Sequence, residues 1–161
     1  MPTVHLGLGT NIGEKKENLT RAIEALSLAL GNYTALSAFM KTEPWGFDSN
    51  NTFLNCVVAF DTTIPPTRLL DITEKIEREL GRTTKSTGGT YHDRIIDIDI
   101  LFYGNEIIES PRLTIPHPLM HLRDFVLEPL VMIAPDVIHP TIGKSISTLA
   151  AELKEQHAQK G

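Results

Sequence analysis

The spacing of apolar residues predicts alternating strands and helices along the first half of the chain. Runs in which every second residue is apolar predict strands at 3–9, about 33–41 and 53–63, each with one buried face. Apolar residues at steps of three and four predict two amphipathic helices between these strands. The first helix closes near Gly31, and the second begins at Pro65-Pro66 and stops at Gly81.

The second half continues with a strand, a short hairpin and two helices. Residues 82–93 carry glycines and no periodicity, which predicts a mobile loop. An apolar strand follows at 94–103, with residues 105–108 as a short hairpin partner after the Gly104-Asn105 turn. Helices are predicted at 123–133 and 145–160. The order β-α-β-β-α-β predicts one domain over 1–161, an α+β sandwich of ferredoxin-like type with a mainly antiparallel sheet and a C-terminal helical extension.

Composition and charge exclude several classes of protein. Hydrophobic content of 41% and charged content of 22% are ordinary for a globular domain. The net charge of −5 offers no basic surplus for general nucleic-acid binding. We expect no membrane span, because no apolar run is long enough and the N-terminus lacks a charged leader. The single cysteine, Cys56, lies in an apolar run, so we expect a buried thiol in a cytoplasmic protein.

The run R-I-I-D-I-D-I-L-F-Y, from Arg94 to Tyr103, carries the strongest chemical signal. On a strand, Asp97 and Asp99 share one face, and the other is filled by Ile96, Ile98, Ile100 and Phe102. Adjacent ionised acids repel each other unless a cation neutralises them, and carboxylate oxygens suit Mg²⁺ that also holds substrate phosphates. The simpler alternative is an exposed strand face with solvated charges. With Arg94 close by, the pattern favours metal-assisted phosphoryl-type transfer.

Four other features each allow a structural and a functional interpretation. G-L-G-T-N-I-G at 7–13 resembles a dinucleotide-binding turn, but its glycine spacing favours a plain strand-to-helix turn. The amide of Asn55, in a strand built for burial, suits either neighbouring backbone or the ring amide of a flat ligand near Trp45. Glu74 and Glu77 are either solvated acids or site residues. The charges of Arg82 and Lys85 belong either to an ordinary loop or to a lid over phosphates.

The chain resembles the 6-hydroxymethyl-7,8-dihydropterin pyrophosphokinase family. R-I-I-D-I-D-I-L at 94–101 matches the pattern R-x-x-D-[LIV]-D-[LIVM]-[LIVM] of that family. The other landmarks occur in the family's order: G-L-G-T-N at 7–11, T-E-P-W-G at 42–46, F-L-N at 53–55, Glu77 before Gly81-Arg82, R-L-T-I-P-H at 112–117 and R-D-F at 123–125. The resemblance covers nearly the whole chain, and the ordered set is more specific than any one motif.

The resemblance implies transfer of pyrophosphate from ATP to the pterin hydroxymethyl group in folate synthesis, with release of AMP. Asp97 and Asp99 would hold two Mg²⁺ ions, and Arg82 and Arg94 would be catalytic. ATP would contact Leu70, Glu74, Glu77, Ile100, Arg112, Thr114, His117 and Arg123, with Lys85 in place of a loop arginine that the family often has where Thr84 stands. The pterin would contact Thr42, Pro44, Trp45 and Asn55 and stack between Phe53 and Phe125.

Two rival functions share parts of this pattern. A metal-dependent phosphohydrolase or nuclease also uses paired aspartates. A non-catalytic nucleotide or pterin sensor could have the same fold. The family resemblance favours the enzyme, which we expect to act as a monomer on small-molecule substrates.

Overall fold

The computed structural model describes residues 1–42, 52–81 and 95–160, and a five-stranded antiparallel sheet lies at its centre. The strands are β1 (Thr3–Thr10), β2 (Ala35–Leu36), β3 (Met40–Thr42), β4 (Phe53–Asp61) and β5 (Asp97–Tyr103). Their order is β2-β4-β1-β5, and β3 also pairs with β4. The strand that carries Asp97 and Asp99, β5, is therefore an edge strand of the sheet.

Helices cover both faces of the sheet. On one face, α1 (Lys15–Leu30) and α2 (Pro66–Gly81) pack against the even-numbered residues of β1. On the other, a 3₁₀ turn (Met120–Leu122) and helices α3 (Asp124–Ile133) and α4 (Ile146–Lys160) enclose a second apolar cluster. Two short strands, β6 (Ile108–Glu109) and β7 (Thr114–Ile115), pair with each other. The C-terminal extension is thus a third layer.

This arrangement confirms the ferredoxin-like prediction and corrects two of its details. If β2 and β3 are counted as one interrupted strand, the sheet has the strand order of a ferredoxin-like fold. The two helices α1 and α2 connect its strands as in that fold. The predicted single strand at 33–41 is instead two short strands separated by residues 37–39. The predicted hairpin partner at 105–108 is also wrong, because Ile108 pairs with Ile115 of β7 and not with β5.

A β-bulge corrects the predicted faces of β5. The pairing of β5 with β1 shifts between His5–Phe102 and Leu6–Ile100, so Leu101 is an extra residue on β5. Ile98 and Ile100 face α1 and α2 as predicted, but Leu101 and Phe102 both enter the second apolar cluster. Phe102 therefore lies on the same face as Asp97 and Asp99, contrary to the prediction.

Two further predictions concern the single cysteine and membrane spans. The Cys56 side chain is buried in the first core cluster, as expected, and burial raises the pKa of its thiol to about 12. Within the residues that the structure covers, no helix combines the length and the apolar composition needed to cross a bilayer.

Acid should destabilise the fold through His5. This side chain is buried on β1 with its ring edge-on to Phe102, and burial lowers its pKa from 6.5 to about 4, although Asp61 opposes the shift. Between these two values the unfolded chain binds more protons, so stability is lost as the pH falls from about 6.5 towards 4. We expect His5 alone to remove about 2 kcal/mol of unfolding free energy between pH 7 and pH 4.5.

Urea unfolding at both pH values, with His5→Gln as the comparison, measures this term. The wild-type chain should lose about 2 kcal/mol more than the variant on acidification. Equal losses in the two proteins would show that His5 is not the titrating group.

Candidate active site

A groove of about 840 Å³ opens between the sheet and the N-terminal end of α3. Its floor comes from the odd-numbered residues of β1, β4 and β5, because alternate side chains of a strand point to the same face. Its walls come from the turn before α3, from α3 itself and from α4. The side chains used below are among its lining residues: Thr42, Phe53, Asn55, Asp97, Asp99, Leu119, Leu122, Arg123, Asp124, Phe125, Glu128 and His157.

The strand register builds two parallel rows across the groove floor. One row is Asn55–Gly9–Asp97, and the next is Val57–Gly7–Asp99. Each acid therefore has a glycine as its neighbour on the central strand. Neighbouring strands are about 4.8 Å apart, so Gly7 and Gly9 form a glycine strip that sets the Cα atoms of Asn55 and Asp97 about 10 Å apart.

A methyl group on Gly9 would clash with Asn55, whereas one on Gly7 would only touch Leu101. A Cβ on Gly9 would lie 2.6 Å from Asn55 Oδ1, and a Cβ on Gly7 would lie 3.4 Å from Leu101 Cδ1. These glycines lie inside β1 and not in a turn, so the turn interpretation of G-L-G-T-N-I-G holds only for its second half. Glycine at these positions leaves room for the side chains of Asn55 and Leu101 over the backbone of β1.

The donor atoms of the acid pair are chemically suited to Mg²⁺. Asp97 and Asp99 both face the groove, as predicted, and their donor oxygens are of the type that Mg²⁺ prefers. In the described parts of the chain, no group of three or more His, Cys, Asp or Glu side chains converges to form an all-protein metal cage. Two carboxylates with the remaining positions left to water and phosphate are typical of Mg²⁺ sites.

His117 lies beside Asp99 with its ring orientation fixed. Its Nδ1 accepts the Leu119 N–H at 3.2 Å, and its Nε2 lies 4.0 Å from Asp99 Oδ2. Burial lowers the pKa of His117, Asp99 raises it, and Arg123 lowers it again. A neutral His117 therefore carries its proton on Nε2, directed to the acid end of the groove.

The other end of the groove presents an amide and two aromatic rings. The Asn55 side chain is 6% exposed, and its Nδ2 donates to Thr42 Oγ1 at 2.9 Å. With this bond in place, Oδ1 lies over Gly9. Phe53 and Phe125 also line the groove, and the Arg123 guanidinium lies over the Phe125 ring at 5.5 Å.

A second group of predicted residues lies along the outer edge of β5. Leu70, Glu74 and Glu77 recur at helical spacing on α2, and Glu77 Oε2 accepts the Ile98 N–H at 2.8 Å. Glu74 and Asp71 both accept hydrogen bonds from Arg112. Thr114 is exposed on β7, which contacts β5. These contacts place the group next to β5 and close to the acids, on the side of that strand away from the groove.

Ile100 differs from the rest of this group. Its side chain is buried in the first core cluster, on the face of β5 opposite the acids. The Ile98 N–H points outward to Glu77, so the backbone of Ile100, two residues on, points the same way. Only the main chain of Ile100 is placed to meet a ligand at this edge.

Five predicted residues lie outside the described parts of the chain: Pro44, Trp45, Arg82, Lys85 and Arg94. Conversely, several groove residues were not predicted. Gly7 and Gly9 fall within the predicted strand 3–9 and the motif G-L-G-T-N, but were given no role in the site, and Asp124 was noted only within R-D-F. His157 follows Leu149 and Leu153 at four-residue steps, a signal that the sequence does contain.

Residues 5–135 match the family model of 7,8-dihydro-6-hydroxymethylpterin-pyrophosphokinase (HPPK). The chain belongs to the HPPK family. A 2-amino-4-hydroxy-6-hydroxymethyldihydropteridine pyrophosphokinase of Porphyromonas gingivalis is 50% identical over 141 residues, which cover 87% of this chain and 95% of that protein. The enzyme of the same name from Aquifex aeolicus is 39% identical over 152 residues, 94% of this chain and 92% of its own length.

The fold agrees with this membership. A crystal structure of wild-type Plasmodium falciparum HPPK-DHPS matches 98% of this chain with a TM-score of 0.74 at 18% identity. The chain spans 42% of that longer protein, so the likeness concerns the fold of one part of it. As an HPPK, the chain is an ATP-dependent diphosphotransferase of folate synthesis.

Proposed function

We propose that the groove carries out the HPPK reaction with ATP at the Asp97–Asp99 end and 6-hydroxymethyl-7,8-dihydropterin at the Asn55 end. The row Asn55–Gly9–Asp97 is the observation that supports this division most strongly. It sets a buried amide and a carboxylate on the two strands that flank Gly9. A flat heterocycle and a phosphate chain can meet there in one groove.

The reaction forms one bond and breaks one. The hydroxymethyl oxygen of the pterin attacks the β-phosphorus of ATP, and the bond from that phosphorus to the oxygen bridging the α-phosphate breaks. AMP leaves with that oxygen, and the hydroxyl proton is lost. Phosphoryl transfer needs mainly positioning and charge neutralisation from the protein, which a rigid groove floor supplies.

Asp97 and Asp99 would hold two Mg²⁺ ions. When bound, the ions would neutralise phosphate charge and orient the reacting oxygens. The acids stand next to glycines, so their carboxylates keep room for phosphate oxygens on the same side of the sheet. Glu77 supports this edge by accepting the N–H of the residue between the two acids.

The phosphates would be held from several directions. The Nε2–H of neutral His117 would donate to a phosphate oxygen, and Arg123 would approach from the start of α3. Arg82, Lys85 and Arg94 would supply further positive charge during transfer, a role supported by the family motifs that contain or surround them.

The nucleoside part of ATP would lie along the outer edge of β5. Leu70, Glu74, Glu77, Arg112 and Thr114 surround that edge, and Ile100 would contribute backbone groups there. The clustering of these residues on α2 and β7 supports a nucleotide position beside the acids.

The pterin ring would lie between Phe53 and Phe125. Asn55 Oδ1 would accept a ring N–H, and Thr42 keeps that amide in place. Pro44 and Trp45 would complete the pocket, as their place in T-E-P-W-G indicates.

Gly9→Ala tests the pterin end. The new methyl group would lie 2.6 Å from Asn55 Oδ1, so the amide must turn away and lose its bond to Thr42. Loss of one or two hydrogen bonds to a buried amide should weaken pterin binding by about 30-fold, measured by isothermal titration calorimetry. Gly81→Ala is the matched control, since nothing lies within 4 Å of its added Cβ. Pterin binding that is unchanged in Gly9→Ala would contradict this position for the ring.

The product assay tests the function as a whole. ATP and 6-hydroxymethyl-7,8-dihydropterin are incubated with the chain, with and without Mg²⁺, and the products are identified by mass. We expect AMP and the pterin diphosphate in equal amounts, and only with Mg²⁺. Orthophosphate without a pterin product would indicate a phosphohydrolase, and binding without AMP would indicate a sensor.

Three further expectations concern the domain organisation, the oligomeric state and the cellular compartment. We expect residues 1–161 to form one domain, because α1, α2, α3 and α4 pack on one sheet. We expect it to act as a monomer on the two small-molecule substrates. A buried free thiol at Cys56 supports a reducing cytoplasm.

A further inference from the structure

The C-terminal helix contributes a side chain to the groove. Leu149 and Leu153 of α4 are buried in the second apolar cluster, and His157 follows at the same four-residue step. The stripe that packs α4 on the protein therefore ends in a histidine at the groove wall. Residues 146–160 lie beyond the part of the chain that the family model matches.

His157 is joined to the first residue of α3. Its Nδ1 lies 3.0 Å from Asp124 Oδ2, and the two side chains are 46% and 41% exposed. Both line the groove. An Nδ1–H that donates to the carboxylate makes this contact in the protonated histidine and in one of its neutral tautomers.

Asp124 stands between two residues of the proposed site. Arg123 precedes it, with its carbonyl accepting the N–H groups of Val126 and Leu127, and Phe125 follows it. The Arg123 side chain makes no hydrogen bond that caps the helix. The first turn of α3 thus lacks a side-chain cap, which leaves it dependent on tertiary contacts for its position.

We propose that His157 is a positioning residue of the pterin site, which holds Asp124 and, through it, the first turn of α3 with Arg123 and Phe125. The inference rests on the proposed function, because it assigns the pterin to the Phe125 end of the groove. Without the His157 contact, the uncapped turn samples more orientations. The Phe125 ring then covers the pterin for less of the time.

The test compares three single variants and one double variant of the 161-residue chain. His157→Leu keeps the bulk and removes the donor, whereas His157→Asn places Nδ2 where Nδ1 stood. Gln156→Leu makes the same kind of change at an exposed neighbouring position on α4. Affinities for the pterin, and for a non-cleavable ATP analogue with Mg²⁺, are measured by calorimetry beside kcat and the melting temperature.

We expect His157→Leu to weaken pterin binding by about three- to five-fold, the usual value of a partly exposed pair. His157→Asn should recover most of that loss, and Gln156→Leu should match the wild type. The affinity for the ATP analogue should fall by a smaller factor than that for the pterin, because Arg123 is only one of several groups proposed to hold the phosphates and the nucleoside part lies along the outer edge of β5. In Asp124→Asn/His157→Leu the loss should not exceed that of His157→Leu alone.

Three results would overturn the inference. One is pterin binding in His157→Leu equal to that of the wild type. The second is an equal loss in Gln156→Leu, which would indicate a general effect on α4. The third is failure of His157→Asn to recover affinity. A wild-type chain that binds no pterin would instead overturn the proposed function together with this inference.

Discussion

Asp97→Asn and Asp99→Asn are each expected to lower kcat by about 10³-fold or more at saturating ATP and Mg²⁺. Asparagine keeps the size of the side chain and removes the charge that draws a dication to the groove floor. Loss of several kcal/mol of charge stabilisation in the transition state corresponds to a factor of this size. Steady-state rates of AMP formation measure it.

Pterin affinity separates this effect from unfolding. The acids lie across the glycine strip from Asn55, so both variants should bind the pterin within a few-fold of the wild type. Asp136→Asn, an exposed acid in the turn after α3, is the matched control and should retain full activity. Full turnover in both Asp97→Asn and Asp99→Asn would refute the role of the acid pair.

Arg94→Ala is expected to lower kcat by about 10²- to 10³-fold with little change in the melting temperature. Arg94 precedes Asp97 by three residues, so their Cα atoms are at most about 11 Å apart. A guanidinium within reach of the phosphates stabilises charge that develops during transfer, and such arginines contribute factors of this order or larger.

Two comparisons isolate the chemical role of Arg94. Arg94→Lys keeps the charge without the planar pair of donors, so it should recover only part of kcat. Arg68→Ala removes an exposed arginine of α2 and should leave kcat unchanged. A melting temperature that falls in proportion to kcat in Arg94→Ala would indicate a structural role.

Periodicity predicted the parts of the fold that depend on local pattern. The bounds of α2, α3 and α4 agree with the sequence to within one residue, because their apolar stripes and their proline or glycine ends are local signals. The shared face of Asp97 and Asp99 followed from the two-residue repeat of a strand. The position of Asn55 in a buried strand was equally visible.

The remaining features depend on contacts between distant segments. The bulge at Leu101 moves Phe102 to the other face, and only pairing with β1 reveals it. Likewise, Gly7 and Gly9 leave room for side chains of neighbouring strands. The residue spacing within 7–13 carries no information about those side chains. His157 reaches the groove because α4 packs on α3, a tertiary arrangement that a helical pattern alone does not specify.

The most direct test of the account is calorimetry of Mg²⁺ with α,β-methylene-ATP, whose methylene group replaces the bridging oxygen of the bond that would break. The wild-type chain should bind the analogue tightly only when Mg²⁺ is present, and Asp97→Asn/Asp99→Asn should lose that dependence on Mg²⁺. Analogue binding by the double variant that is as tight and as dependent on Mg²⁺ as in the wild type would contradict the claim that these two carboxylates hold the metal and the nucleotide.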